Sequence, residues 1–291
     1  MNIKELLQLG KNRLADRKTA VVDAEVLLSY LTGYTTEQLF VHDAEVVDDS
    51  DVALFEVYLK RVLKGEPVAY IIGKKEFFGF DYFVDNRVLI PRPETEFIVE
   101  AVLKYLEVAS AGNKKFRCLD VGTGSGTIPV AVLNTVFAKL DGDFDVFFDA
   151  IDISQDALEV ARINVDQYSL SDNVHLFQSD LLDFCDDGES FDVITANLPY
   201  IGEVKHRCVT DEAVEFEPNL ALFGGDDGLM LYKKMFQQIK EKEIKFNLMI
   251  GEFGFGQLDN IKELLDTFFE QRWTILKDHS GVDRVFIVRN H

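Results

Sequence analysis

The stretch CLDVGTGSGTIPVAV, residues Cys118 to Val132, decides how the chain is to be read. An apolar strand runs into glycines at alternate positions, Gly122, Gly124 and Gly126, and an apolar helical pattern follows. Glycine lets the backbone turn tightly, and the helix N-terminus behind such a loop presents free N–H groups to a ligand lying against bare main chain. A dinucleotide fingerprint would place its third glycine one position later, where this chain has Thr127. The pattern therefore favours a nucleoside-type ligand over NAD, with a purely structural turn as the alternative.

Downstream, strands and helices alternate. Apolar runs predict strands at Phe116 to Val121, Val146 to Ile151, Val174 to Gln178, Phe191 to Ala196 and Phe246 to Gly251, most of them followed by helical periodicity. Two more, near Thr274 and at Arg284 to Val288, have no helix-length segment between them and are expected to pair antiparallel at the sheet edge. This alternation predicts an α/β fold with a doubly wound sheet, whose ligands bind beyond the strand C-termini. Val121 to Ala138 is free of charge, yet its glycines, proline and asparagine make it a loop entering a buried helix rather than a membrane span.

Upstream, residues 1–73 read as a small bundle of short helices, with apolar residues such as Ile3, Leu6, Leu7, Val26, Leu27, Phe55, Leu59 and Val62 at three- and four-residue steps. Aromatic strand formers on either side of Gly79 and Asp85-Asn86 predict a β-hairpin that links the two domains within residues 74–92. From residue 93 to 291 the larger domain follows. Pro93 is placed for the first turn of a helix running through Leu106, with Glu94 and Glu96 near its positive end. No contact is assigned to Arg92 or Glu94 beyond that helix start.

Composition narrows the partners. There are 30 Lys and Arg against 51 Asp and Glu, and the net charge of -21 repels a phosphate backbone, so no stable nucleic-acid binding is expected. Cys118, Cys185 and Cys208 form no close pair, which speaks against a disulfide framework and for a reducing, cytoplasmic setting. His206 with Cys208 is the only close His/Cys pair, so no metal site is expected. The N-terminus lacks the apolar stretch and cleavage site of a signal peptide. No membrane association is expected, and the chain is expected to act as a monomer.

The rim of the sheet carries the chemistry. Asp152 ends the second strand, where a carboxylate either accepts from ribose hydroxyls or caps the helix starting near Ser154. Asp180 and Leu181 follow the third strand. The first is placed to bind an exocyclic amine of adenine, or to serve only a turn, and the second to pack near the ring. At the end of the fourth strand stands Asn197-Leu198-Pro199-Tyr200. The Asn197 amide can accept and donate. Pro199 pushes Leu198 toward extended geometry, aiming its carbonyl outward. Two acceptors thus converge on one planar NH2 group, and Tyr200 offers a flat face to a π-system.

At these residues the chain resembles the release-factor glutamine methyltransferases, within the class of S-adenosylmethionine-dependent enzymes that carry an Asn/Asp-Pro-Pro-Tyr type motif. LIPRPETE, LDVGTGSG, NLPYI, FEPNLALFGGDDGL, GEFGFGQ and HSGVDRV look like that family's segments in its order. The resemblance implies a Rossmann-like methyltransferase sheet behind an N-terminal helical domain that docks the substrate. It implies a loop of Gly122, Thr123, Gly124, Ser125 and Gly126 around the methionine part of S-adenosylmethionine, with Asp152 on the ribose and Asp180 and Leu181 by the adenine. Asn197, Leu198, Pro199 and Tyr200 would grip the glutamine of a Gly-Gly-Gln loop in a peptide chain release factor, the methyl passing to its amide nitrogen by direct in-line displacement. Leu198 stands where the family usually has proline. Asn-Leu-Pro-Tyr is typical of ribosomal RNA adenine dimethyltransferases, the alternative, against which stand the charge, the IPRPETE segment and GGDDGL.

Overall fold

The computed structural model describes residues 1–110, 115–139, 145–202 and 215–290. His206 and Cys208 lie outside the described residues. Two compact units are present, one built on Met1–Lys74 and the other on most of the chain from Lys75 onward.

The first unit is helical: α1 (Ile3–Arg13), α2 (Ala20–Thr32), α3 (Thr36–Val41), α4 (Asp49–Leu63) and α5 (Val68–Ile72). Its helix starts are written locally. Asn2 accepts from the Glu5 N–H at 2.8 Å while the Glu5 carboxylate accepts from the Asn2 N–H at 3.0 Å, and Thr35 with Gln38 repeats this reciprocal cap. Leu6, Leu14, Leu27, Leu28 and Phe55 are buried between the helices, as their spacing predicts.

The second unit begins with a hairpin, β1 (Lys74–Phe77) and β2 (Phe80–Phe83), followed by a short 3-10 turn at Pro93–Thr95 and α6 (Glu96–Ala109). Then come β3 (Lys115–Val121), α7 (Thr127–Lys139), β4 (Asp145–Asp152), α8 (Gln155–Gln167), β5 (Val174–Gln178), β6 (Ser190–Ala196), α9 (Asn219–Leu222), α10 (Met230–Glu241), β7 (Lys245–Glu252), α11 (Leu258–Phe269), β8 (Trp273–Lys277) and β9 (Asp283–Arg289). The strands form one sheet in the order β5-β4-β3-β6-β7-β9-β8. From β5 to β7 every pair is parallel, whereas β9 runs antiparallel to both β7 and β8. The antiparallel edge follows from the short Asp278–Val282 connection, where the Asp278 carboxylate accepts from the N–H groups of Ser280 and Val282, both at 2.9 Å, and turns the chain straight back.

Helices cover both faces of the sheet, so its central strands are apolar nearly throughout. Phe116, Cys118, Leu248 and Ile250 face one core with α6 and α7, and Leu119, Val121 and Met249 face the other with α10 and α11. The charge-free segment is the buried α7, with Val130, Ala131, Val132 and Leu133 at 0% exposure. Among the described residues no helix is long and apolar enough to cross a membrane. Strand order reverses between β3 and β6, and the crevice at such a reversal is where doubly wound folds bind ligands.

The hairpin is fastened to this crevice. Phe77 and Tyr82 sit in the same core as α6 and α7, and fully buried Asn164 of α8 donates to the carbonyls of Phe83 and Ser125, at 3.0 and 2.8 Å, while accepting from the Phe83 N–H at 2.7 Å. One amide thus ties the hairpin to the glycine loop. Asn164→Ala leaves these backbone groups unpaired and is expected to cost about 2–3 kcal/mol of stability, read by urea unfolding of the variant beside the parent chain; a loss no larger than a surface substitution would deny it this role.

Candidate active site

The glycine loop leaves β3 by folding over the end of β4. The N–H groups of Gly122 and Thr123 both donate to the Ile151 carbonyl at 2.9 Å. Gly122 has a φ of 73°, and a Cβ placed there would stand 3.1 Å from Cδ2 of Leu198. The loop therefore rests directly on the Asn-Leu-Pro-Tyr segment, and only a glycine permits that approach.

Asp152 closes β4, and both readings of it meet in one carboxylate. Its Oδ2 accepts from the Gly124 N–H at 2.9 Å and its Oδ1 from the Ser154 N–H at 2.9 Å. The cap proper is Ser154, whose Oγ accepts from the Ala157 N–H at 3.2 Å. Burial pushes the Asp152 pKa up, and the N–H groups of Ser154 and Gly124 pull against that rise. Because a carboxylate has about four acceptor positions, two bonds to backbone leave capacity facing the cleft that Asp152 lines.

Asp180 also lines this cleft, but its side chain holds Lys234 of α10, with Oδ2 accepting from Nζ at 2.5 Å. Leu181 is buried and held at a φ of 55°, a conformation that costs a leucine energy. The surroundings over-determine it: the Ser179 hydroxyl donates to the Leu181 carbonyl at 2.8 Å, and Gln238 accepts from the Leu182 N–H at 3.1 Å. Such imposed strain turns an apolar side chain toward the cleft.

Beyond β6, Asn197 donates through Nδ2 to the Thr95 hydroxyl at 2.8 Å; Thr95 donates to Oε2 of Glu252 at 2.8 Å, and the Tyr200 phenol donates to Oε1 of Glu252 at 3.0 Å. Glu252 ends β7 and is fully buried, which raises its pKa, whereas Thr95, Tyr200 and the charge of Arg284 lower it. Among the described residues no donor reaches Asn197 Oδ1 or the Leu198 carbonyl. The backbone beyond is fixed by Gln257, whose Nε2 donates to the carbonyls of Tyr200 and Asp227, both at 2.9 Å. Gly228, at a φ of 76°, packs so closely that any Cβ would run into the Tyr200 carbonyl.

Two cavities meet at this segment. A cleft of about 1120 Å³, open mouth included, is lined by Gly122, Gly124, Ser125, Asp152, Asp180 and Leu181. A second, of about 970 Å³, is lined by Tyr200, Phe255, Gln257 and Arg284. Asn197, Leu198 and Pro199 line both. Of the residues singled out in the sequence, Thr123 and Gly126 do not line the first cleft, and Tyr200 lines only the second. Arg92, without an assigned contact in the sequence, lines both cavities and donates through one Nη2 to both oxygens of Glu217, at 2.6 and 2.8 Å.

Thr95, Gln257 and Glu217 escaped sequence reasoning, since their partners lie far along the chain. Glu252 left a usable signal: it ends the apolar run NLMIG as Asp152 ends its own strand.

Residues 112–248 match a methyltransferase domain model, and residues 5–73 match the PrmC N-terminal domain model. The fold and the domain match define a methyltransferase. Full-length relatives narrow the class. A release factor glutamine methyltransferase of Koribacter versatilis (strain Ellin345) is 33% identical over 99% of this chain and 99% of its own length. That of Bacillus subtilis (strain 168) is 34% identical over 99% of this chain and 98% of its own. The chain belongs to the release factor glutamine methyltransferase family. Among solved structures, the hMettl16 catalytic domain in complex with MAT2A 3′UTR hairpin 6 aligns with a TM-score of 0.53 at 17% identity, covering 84% of this chain and 83% of that one. At that identity the likeness is one of fold alone.

One buried acid next to the loop sets a pH dependence. Asp120 of β3 is 1% exposed, and its Oδ1 accepts from the Thr195 hydroxyl at 2.7 Å. Burial pushes its pKa up to about 6 from an ordinary 3.8, against the pull of the Thr195 and Thr123 hydroxyls. Between those values the folded chain binds more protons than the unfolded one, so this group's contribution to stability falls as pH rises through that window. Asp120→Asn keeps the acceptor for Thr195 and removes the titration. The stability of the variant relative to the parent is expected to improve by roughly 2 kcal/mol between about pH 4 and about pH 7; urea unfolding at both pH values measures it, and a constant difference would contradict the assignment.

Proposed function

We propose that the chain transfers a methyl group from S-adenosylmethionine to the side-chain amide nitrogen of the glutamine in the Gly-Gly-Gln loop of a peptide chain release factor. The observation that carries this is a pair of acceptors without a donor among the described residues, Asn197 Oδ1 and the Leu198 carbonyl, in residues that line both cavities.

The first cleft fits an adenosyl ligand. Among the described residues, nothing beyond its chain neighbours lies within 4 Å of where a Gly124 Cβ would stand, so the loop there offers bare main chain. Asp152 supplies acceptors for ribose hydroxyls, and Leu181 supplies an apolar wall for the base. Gly122, Thr123, Gly124, Ser125 and Gly126 form the turn around the methionine part, with Thr123 and Gly126 shaping it from behind. Asp180, occupied by Lys234, contributes an acceptor at the adenine edge only through its remaining lone pairs. When bound, S-adenosylmethionine supplies an activated methyl group open to a single in-line displacement.

The chain's residues act on the acceptor. An amide nitrogen is a weak nucleophile because its lone pair is shared with the carbonyl. Asn197 and Leu198, accepting one N–H bond each, favour the pyramidal geometry in which that lone pair is released and aimed. Positioning and preorganised dipoles of this kind supply the rate, and the chain needs no general base ahead of the transfer. As the N–C bond forms and the S–C bond breaks, the sulfonium would leave as a neutral thioether, and the methylated nitrogen, then cationic, would release one N–H proton to solvent. Tyr200 stands beside the glutamine with its hydroxyl tethered to Glu252. A protein acceptor suits a net charge of -21 better than RNA, whose phosphates that charge repels, and the helical unit at the N-terminus would dock the release factor.

Asp152→Ala is expected to weaken S-adenosylmethionine binding by about 1.5–3 kcal/mol, measured by calorimetry. Asn197→Ala is expected to slow single-turnover transfer by about 10²–10³. Mass spectrometry of a release factor and of ribosomal RNA after reaction tests the substrate: methylation of the release factor that vanishes when its Gly-Gly-Gln glutamine becomes alanine is expected. A methylated adenine with an unmodified release factor would overturn the proposal.

A further inference from the structure

The hydrogen bonds behind Asn197 have a direction. Glu252 is 0% exposed, and each of its carboxylate oxygens receives one hydroxyl, from Thr95 and from Tyr200. A hydroxyl has one proton to give. Thr95 gives its proton to Glu252, so toward Asn197 it can only accept, and the atom it meets is Nδ2 at 2.8 Å. The amide of Asn197 is thereby held with its NH2 turned to Thr95 and its carbonyl oxygen left for the cavities. Burial pushes the Tyr200 phenol pKa up, so that end of the chain also remains a donor.

We propose that Thr95 and Glu252 are positioning residues that set the polarity of the Asn197 amide, and through it restrict the acceptor to a group that donates N–H bonds. This rests on the function proposed above and adds the means by which glutamine is told from glutamate. With Asn197 Oδ1 and the Leu198 carbonyl both presented as acceptors, a side-chain NH2 is bound and a carboxylate meets two oxygens. A site built on such hydrogen bonds discriminates strongly, because a wrong partner leaves buried polar groups unpaired. Reversing the amide would present one donor and one acceptor and erase the distinction.

Glu252→Gln offers that reversal with almost no change of shape. The new side chain still accepts from Tyr200 through its oxygen, but its NH2 donates to Thr95, whose proton then turns to Asn197 and flips the amide. Asp in place of Asn197 suits this reversed chain, since it accepts from Thr95 with one oxygen and offers the other to the acceptor. In the parent background the same Asp leaves two carboxylates competing for one hydroxyl proton.

The test compares the parent chain with Thr95→Ala, Thr95→Ser, Glu252→Gln, Asn197→Asp and the double variant of the last two. Single-turnover methyl transfer to a release factor is measured, together with the NMR signals and hydrogen exchange of the Asn197 side-chain amide in the chains that retain it. Thr95→Ala and Glu252→Gln are expected to lower kcat by about 10–100-fold, the usual loss when a supporting partner of a functional group is removed, with affinity for S-adenosylmethionine unchanged. Thr95→Ser should keep the parent rate, and the Asn197 NH2 should be protected from exchange in the parent and in Thr95→Ser alone. The double variant should recover most of the rate lost by Glu252→Gln, whereas a merely structural role for Glu252 gives losses that add. Parent-like kcat in folded Thr95→Ala and Glu252→Gln, unchanged Asn197 amide signals, or an additive loss in the double variant would overturn the proposal. A parent chain that does not methylate the release factor would overturn the function proposed above, and the amide signals would still decide the polarity.

Discussion

The contact of Gly122 with Leu198 is the constraint on which the site depends. It exists because β3 and β6 are neighbours at the point where strand order reverses, so the loop leaving one strand and the segment leaving the other emerge side by side. A side chain at Gly122 would press on Cδ2 of Leu198 and strain a backbone held at a φ of 73°, at the segment whose Asn197, Leu198 and Pro199 line both cavities. The same contact gives Leu198 a use for its side chain. It is 2% exposed against the loop, while its backbone carbonyl, the feature that the proposed chemistry uses, is independent of whether residue 198 is leucine or proline. The proline that matters is Pro199, which disfavours helical backbone at the residue before it.

Carboxylates at or near the C-terminal ends of parallel strands supply the second organising element. Asp120, Asp152 and Glu252 stand on β3, β4 and β7, and none of them has a hydrogen-bonded cation partner among the described residues. Each instead accepts from neutral hydroxyls or backbone N–H groups, which hold a carboxylate in place without neutralising it. Burial raises the pKa of all three. Of the three, only Asp152 lines the first cleft; Asp120 and Glu252 lie buried behind it. Cations stand close by, in Arg92 with Glu217 and Lys234 with Asp180, and the charge of Arg284 acts on Glu252.

What could be read from the sequence was local. The strands of the sheet declare themselves as apolar runs, and the antiparallel edge follows from a connection too short for a helix. Asp152 is legible as the residue that closes its strand, though its bond to the Gly124 N–H, 28 positions away, is not. Asp180 was legible as a rim residue, but its ion pair with Lys234 is separated by 54 positions and leaves no trace in the local pattern. The bond from Thr95 to Glu252 spans 157 positions, and that from Asn197 to Thr95 spans 102. No periodicity encodes such pairs; they exist only after the sheet has assembled. Arg92 was visible as a residue with no evident purpose, and its partner Glu217 lies 125 positions away.

The central claim is that Asn197 and Leu198 present two acceptors to the NH2 of a glutamine at the meeting of two cavities. A crystal structure of the chain with S-adenosylhomocysteine and a peptide carrying Gly-Gly-Gln tests it most directly. The account predicts the glutamine nitrogen within hydrogen-bond distance of both Asn197 Oδ1 and the Leu198 carbonyl, with the Asn197 NH2 still on Thr95 and the adenosyl group in the cleft lined by Gly124 and Asp152. A glutamine bound elsewhere, or held with its carbonyl rather than its nitrogen toward Asn197, would contradict it.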